Sequence, residues 1–423
     1  MKKGVLQLSI LLIAACTDVS NEFINDKPSS IGVSNAISNA DQLLQLQYMP
    51  ICNLPSMTGY YDAGRQLTGM LYSSTRYDDL FVPNNVSLYT FLSSLNNPYS
   101  YLYTVDLASE PYDLYWAKSY YGTVCTYFVE YALGIKETYT TRSFRSISGM
   151  EFLVPQSIDD ISIGDVIIYG GLEVGHQIYT PGHAALIYDI VRDKEQNVQY
   201  VVISEAVEPL VRNIRYSRKE FIELMKRKQY EIYRYKYIDQ CTHTPLSELI
   251  PSELGIISVM TKKGDKANYR LDETIKIDIL TDQYTHINLF RDGKFVNSSK
   301  IESKVHSYTQ LPSGLYEAYL SVGDFISNKT SFIVVDCNFS VESTSSQTIT
   351  LTFEQSNGYK PVWVTWYLMD DYYPIYTEPI NEEEFADGYK VSSYRSGKWG
   401  IKVFYETEYG IISSKATLID VLD

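Results

Sequence analysis

Tyr120-Tyr121-Gly122-Thr123-Val124-Cys125-Thr126-Tyr127-Phe128-Val129-Glu130-Tyr131-Ala132-Leu133-Gly134 is the stretch from which the first half of this chain is read. Apolar residues at 128, 129, 132 and 133 have helical spacing, and Gly134 supplies a helix stop. Thr123 is the expected N-cap, which puts Cys125 in the first turn. A thiol there feels the positive end of the helix dipole, which lowers its pKa and favours the nucleophilic thiolate. A cysteine at a helix start is as often structural as reactive, so its partners further along the chain decide between the two.

Downstream, Gly164-Asp165-Val166-Ile167-Ile168-Tyr169 is a turn leading into an apolar strand. Gly182-His183-Ala184-Ala185-Leu186-Ile187-Tyr188 then begins a second strand with a histidine at its mouth. Tyr200 to Ala206 is a third, and Arg192 to Gln196 is expected to close the hairpin between the last two. Pairing Val191 with Asn197 would set Glu205 opposite His183 on one face. A carboxylate there holds the imidazole tautomer and stabilises the imidazolium, as the third member of a catalytic triad does. His176 is the rival base, but Gln177 to Pro181 reads as loop, so His183 is preferred.

A cysteine on a helix, then a Gly-Asp strand, a Gly-His strand and a polar residue on the next strand resemble the papain-like cell-wall hydrolases, the NlpC-type peptidases and CHAP domains. The resemblance spans roughly residues 40–240. It implies that Cys125 attacks a peptidoglycan amide, that His183 is the general base and that Glu205 orients it. Gly69-Met70-Leu71-Tyr72 resembles the family's upstream Gly-x-x-Tyr motif, which assigns Tyr72, and with it Tyr121, to substrate binding. Val124-Cys125-Thr126-Tyr127 departs from the family's usual Asp-Cys-Ser-Gly but removes no catalytic group.

The N-terminus assigns the compartment. Lys2 and Lys3 precede a short apolar run, Val5 to Ala15, that ends in Leu12-Ile13-Ala14-Ala15-Cys16. The run is too short to span a bilayer and reads as a signal peptide over 1–16. Its ending resembles the lipobox of bacterial lipoproteins, which implies lipidation at Cys16 and a lipid-anchored protein of the cell envelope, periplasmic or on the outer surface. Residues 17–38, polar and rich in Ser and Asn, read as a tether. A net charge of −15 over 423 residues excludes nucleic acid as a partner. The five cysteines have no metal-like spacing, so neither a metal nor a cofactor is implied, and a Cys52–Cys241 disulfide is left open.

Near residue 245 the pattern becomes short alternating strands and turns. Ser313-Gly314-Leu315-Tyr316 and Ser396-Gly397-Lys398-Trp399 are one motif repeated, at 313 and 396. A repeat of that length fits an immunoglobulin-like sandwich. The fold class is therefore α+β: a papain-like hydrolase over 39–245, then all-β immunoglobulin-like modules over 250–336 and 337–423. An envelope protein or a glycan is the expected partner of these modules. The expected function is hydrolysis of amide bonds in peptidoglycan peptides by a Cys-His-Glu triad. A catalytically degenerate binding or scaffold lipoprotein, and a transglutaminase-like enzyme, are the rival readings.

Overall fold

Val166, Ile168, Ala184 and Leu186 alternate with Ile167, Ala185 and Ile187, and all seven are completely buried. Strands apolar on both faces must be covered on both sides. The computed structural model describes residues 23–56, 59–73, 88–107, 109, 119–136, 141, 144, 147–155, 157–170, 172–174, 177–180, 182–249, 257–343, 348–353, 359–368, 373–380, 389–392 and 397–421. In its first half, strands β1 (Met150–Leu153), β2 (Val166–Tyr169), β3 (His183–Arg192), β4 (Val198–Ala206), β5 (Val211–Ser217) and β6 (Glu231–Tyr235) form one sheet in the order β5-β4-β3-β2-β6-β1. Every pairing is antiparallel.

Helices α1 (Ile31–Leu44) and α2 (Cys125–Leu133) pack their apolar faces on the side of Ala184 and Leu186. Helix α3 (Arg218–Lys228) packs Phe221 on the side of Ala185 and Ile187. The tether expected over 17–38 is corrected where residues are described. Ile24–Asn25 pairs with the end of β3, and α1 begins at Ile31. Its polar composition hides a helical stripe, since Val33, Ala36, Ala40, Leu43 and Leu44 are all buried. Ser30 caps the helix by accepting from the Val33 N–H. Gly32 is required because a Cβ there would lie 2.1 Å from the Ile238 carbonyl oxygen. The signal peptide and Cys16 lie outside the described residues. Among those described, no helix is long and apolar enough to cross a membrane.

The second half contains β7 (Val259–Thr261), β8 (Ala267–Arg270), β9 (Ile275–Ile279), β10 (His286–Arg291), β11 (Lys294–Lys300), β12 (Val305–Tyr308), β13 (Gly314–Val322) and β14 (Phe325–Val335). They form a three-stranded sheet, β7-β9-β12, and a five-stranded sheet, β8-β14-β13-β10-β11, over a shared apolar core. Then β15 (Phe339–Ser343), β16 (Thr348–Phe353), β17 (Pro361–Leu368), β18 (Tyr373–Pro379), β19 (Tyr389–Ser392), β20 (Gly397–Thr407), β21 (Gly410–Ser413) and β22 (Thr417–Val421) repeat the plan. Again one sheet has three strands, β15-β16-β19, and the other has five. Gly314 and Gly397 open equivalent strands, β13 and β20, and Tyr316 and Trp399 are buried two residues later. Both units are β-sandwiches. Asp292 and Gly293 turn the β10–β11 hairpin with φ of 50° and 74°, the left-handed pair that an Asp-Gly turn supplies.

The first sandwich is seated on the first half through its Thr261–Lys266 turn. The Tyr101 N–H donates to the Lys262 carbonyl (2.9 Å), and Asn97 donates to the buried Asp278 carboxylate (2.7 Å), which Lys262 also pairs. Residues 88–104, one flank of this contact, thus place several of their polar groups on the sandwich.

Arg192 at the end of β3 is the most fully used cation of the sheet. Its Nε donates to both oxygens of Asp26, Nη1 to the carbonyls of Asp159 and Gln196, and Nη2 to that of Ile161. Its removal orphans the Asp26 carboxylate and three carbonyls together. Arg192→Ala should therefore destabilise the protein by about 3 kcal/mol or more, read as the shift in a urea unfolding curve.

Candidate active site

Helix α2 begins at Cys125 itself. Its N-cap is Val124, with extended backbone and no side-chain cap, which corrects the expected Thr123. Thr123 is engaged elsewhere: its N–H donates to the Leu71 carbonyl (2.8 Å), and its own carbonyl accepts from the Ser73 N–H (3.2 Å). The helix ends as expected at Gly134, left-handed at φ 70°.

The extended segment Leu71-Tyr72-Ser73 is a splint between two parts of the site. On one side Tyr72 bridges Thr123, two residues before Cys125; on the other Leu71 bridges Leu210, in the β4–β5 turn. The Tyr72 N–H also donates to the Pro209 carbonyl (2.9 Å). Gly122 makes the splint possible, because a Cβ there would sit 2.6 Å from the Leu71 carbonyl oxygen. The Tyr72 side chain is half-buried and packs against the large core beside α2. Tyr121, expected to bind substrate, does not face a site. It is fully buried, and its hydroxyl donates to the Lys263 carbonyl of the first sandwich at 2.5 Å.

His183 starts β3. Its neighbour Gly182 is hemmed in: a Cβ would lie 2.1 Å from Thr141 Oγ1 and 2.6 Å from the Tyr169 carbonyl oxygen. His183 Nε2 lies 2.8 Å from Glu205 Oε2. The imidazole also hydrogen-bonds the Cys125 thiol. The backbone N–H groups of Ala184 and Thr126 point at the same sulfur. Helix, β3 and β4 thus each contribute one side chain of a Cys125–His183–Glu205 chain.

The contact between His183 and Glu205 arises through a different register from the expected one. The hairpin closes around 193–197, with Arg192 opposite Val198, because the Asp193 carboxylate accepts from the N–H groups of Glu195 and Asn197. Leu186 pairs with Ser204, after a bulge between Ile187 and Asp189. At this end the strands have slipped by two residues. A slip of two keeps every side chain on its face. Glu205 therefore reaches His183 as a diagonal neighbour rather than from directly opposite.

The electrostatics follow from these contacts. Burial pushes the Cys125 thiol up, but the bond to His183, the imidazolium charge and the two N–H donors outweigh it and hold the thiol below its usual range. Burial pulls His183 down, and its bonds to Cys125 and Glu205 reverse that, raising it to about 9. For Glu205 the upward pull of burial is overcome by His183 and Arg212, and its carboxyl stays ionised more readily than usual. Both shifts act in favour of a thiolate–imidazolium pair backed by a carboxylate, an arrangement suited to nucleophilic attack with proton transfer.

Arg212 and Tyr230 were not foreseen. Arg212 lies opposite Glu205 in the β4–β5 register. Tyr230, just beyond α3, meets the His183 ring edge to face, with centroids 6.4 Å apart. Val211 to Tyr216 does not alternate cleanly, with Arg212 and Asn213 adjacent, so the strand that carries Arg212 is not marked in the sequence. Nothing local points to Tyr230. Asp165, of the Gly-Asp turn, is buried and paired with Arg234 at 2.7 and 2.8 Å, which makes it a structural anchor. Gln177–Thr180, expected as loop, is a strand paired with Leu172–Val174. His176 lies outside the described residues. The Cys52–Cys241 bridge left open is not formed: both thiols are free, and Cys241 is buried beside Asn39 and the Ala132 carbonyl. Among the described residues, no group of three or more His, Cys, Asp or Glu side chains is placed to hold a metal ion.

No protein-family model matches the chain, and no curated protein matches it. Solved structures that resemble it are tandem β domains. The fibronectin(III)-like modules of CbhA from Clostridium thermocellum are 13% identical, covering 39% of this chain and 93% of theirs, with a TM-score of 0.21. A segment of two fibronectin type-III domains from chicken tenascin is 10% identical, covering 36% and 93%, with a TM-score of 0.22. The titin Ig tandem domains A164-A165 are 13% identical, covering 38% and 95%, with a TM-score of 0.18. None of the three bears on the chemistry at Cys125.

Two outcomes are expected. Iodoacetamide should alkylate Cys125 well below pH 8 and ahead of Cys52, Cys241 and Cys337, whose thiols burial pushes up; peptide mass spectrometry reads the order. Gly182→Ala should slow that alkylation about tenfold or more while leaving the far-ultraviolet circular dichroism unchanged, because it displaces the base by an ångström-scale shift.

Proposed function

We propose that this chain is a cell-envelope cysteine peptidase or amidase with a papain-like first domain, hydrolysing amide bonds in peptidoglycan peptides. The observation that carries the reading is the continuous chain Cys125–His183–Glu205, with the thiol at a helix start and the imidazole bonded to both neighbours. The Cys125 thiolate attacks the amide carbonyl, and the imidazolium of His183 gives its proton to the leaving amine. A thioester forms and the C–N bond breaks. Water then adds to the thioester, with His183 taking its proton, and the acid departs as the thiolate is restored. The Cys125 N–H, in the first turn of α2, has no intrahelical acceptor and is a donor for the developing oxyanion.

The peptidoglycan substrate follows from the resemblance of the motif order to the NlpC-type and CHAP hydrolases. The proposal extends to export and lipidation at Cys16, supported by the lysines, short apolar run and Ala14-Ala15-Cys16 ending, and to the two sandwiches as modules that meet an envelope protein or glycan. A digest of purified peptidoglycan fragments, read by mass spectrometry, tests the activity. Cys125→Ala or His183→Ala should each lower the rate about a thousandfold or more, with the double variant no worse, and Glu205→Ala should leave roughly tenfold more activity than either. Intact fragments after incubation with protein whose Cys125 alkylates normally would favour the scaffold reading. For the anchor, Cys16→Ser should move the protein from the membrane fraction to the soluble one; retention in the membrane would refute lipidation.

A further inference from the structure

Among the described residues, strand β5 lies at the edge of the first sheet, paired along its length with β4. In that pair Arg212 stands opposite Glu205. Arg212 donates from Nε (3.0 Å) and from Nη2 (2.9 Å), both to Oε1 of the carboxylate. The other oxygen, Oε2, is the one on His183. The Glu205 side chain is 8% exposed and that of Arg212 53%, so the guanidinium covers the carboxylate from the solvent side. We propose that Arg212 is a positioning residue for the nucleophilic pair: by forking onto Oε1 it holds Oε2 on His183 and sets the pH range in which thiolate and imidazolium coexist. This rests on taking Cys125, His183 and Glu205 as one working unit.

The physical argument has two parts. A glutamate has rotatable bonds that a single contact to an imidazole does not fix. Two donors of the rigid guanidinium plane converging on Oε1, with His183 on Oε2, hold both oxygens of the carboxylate, and a lysine ammonium, a point charge, holds Oε1 with less directional constraint. The second part is charge. The groups facing the pair are Glu205 from β4, Arg212 and Tyr216 from β5, and Tyr230 beyond α3, with Glu220 and Arg227 of α3 acting on Tyr216 and Tyr169 on Tyr230. Burial raises both Tyr216 and Tyr230 and keeps them neutral in the working range. Glu205 and Arg212 therefore nearly cancel, and removing the cation leaves an uncompensated carboxylate beside two proton-binding groups. Both should then hold their protons to higher pH.

The test is the pH dependence of iodoacetamide alkylation at Cys125 in the full chain, read by peptide mass spectrometry. Arg212→Gln should move the thiol midpoint upward by about half a pH unit, the size expected of one charge at the rim of a part-exposed site. Arg212→Lys keeps the charge, so its midpoint should stay near the native one while its limiting rate falls several-fold for want of the fork. Arg215→Gln is the control. Arg215 is three residues along the same strand, points to the opposite face, and lies over the Tyr200 ring at 3.9 Å; its loss should leave midpoint and rate in place. An Arg212→Gln midpoint equal to the native one, with native Cys125 acidic, overturns the proposal and spares the hydrolase reading. If that variant does not fold, native-like limiting alkylation in Arg212→Lys overturns it instead. A native midpoint at an ordinary thiol value overturns both.

Discussion

The 2.8 Å contact between His183 Nε2 and Glu205 Oε2 constrains far more of the first domain than two side chains. The same ring also interacts with the Cys125 thiol, so the start of α2 has to approach it. Because the contact joins β3 to β4, the pairing of those strands has to keep both residues on the same face. Glu205 in turn needs Arg212 on β5. Three strands and one helix are thus tied to a single ring.

Two glycines beside that ring are closely packed. Gly182 passes against Thr141 and the Tyr169 carbonyl, and Gly122 passes against the Leu71–Ser73 splint. A side chain at either position would push His183 or the start of α2 outward by an ångström-scale shift. Glycine here does not supply an unusual backbone angle. It allows close approach, which is the other use of a residue without a Cβ. The splint closes the frame, since it ties the approach to α2 to the turn that follows Glu205.

How much of this could be read in the sequence differs residue by residue. Cys125, His183 and Glu205 are legible because each falls on a regular element, and period two decides which face a strand residue takes. The side of the sheet survived an error in register, since a slip of two residues preserves it. The 83-residue offset between the Ser-Gly motifs was legible for the same reason: an aromatic two residues after a strand-opening glycine is buried in both sandwiches. What could not be read was tertiary. Ser30, Ser34, Asn35 and Ser38 look like a tether until Gly32 is seen against Ile238 and Asn39 against Ala132 and Thr242. Tyr121 looks like a site residue by its nearness to Cys125, yet only the presence of Lys263 decides where its hydroxyl goes.

Tyr121 also shows why the two halves of the chain are not independent. It precedes the nucleophile by four residues and is buried without exposure, so its hydroxyl must find a partner in the folded protein. That partner is a backbone carbonyl of the first sandwich. The same turn receives Tyr101 at Lys262, and Gly264 fits under the Thr90 carbonyl, where a Cβ would come within 2.6 Å. The segment leading into α2 is therefore held at Thr123 by the splint and at Tyr121 by a β-sandwich. The boundary near residue 245 separates two patterns of sequence, but hydrogen bonds cross it: the segment leading into α2 is held by groups from both sides.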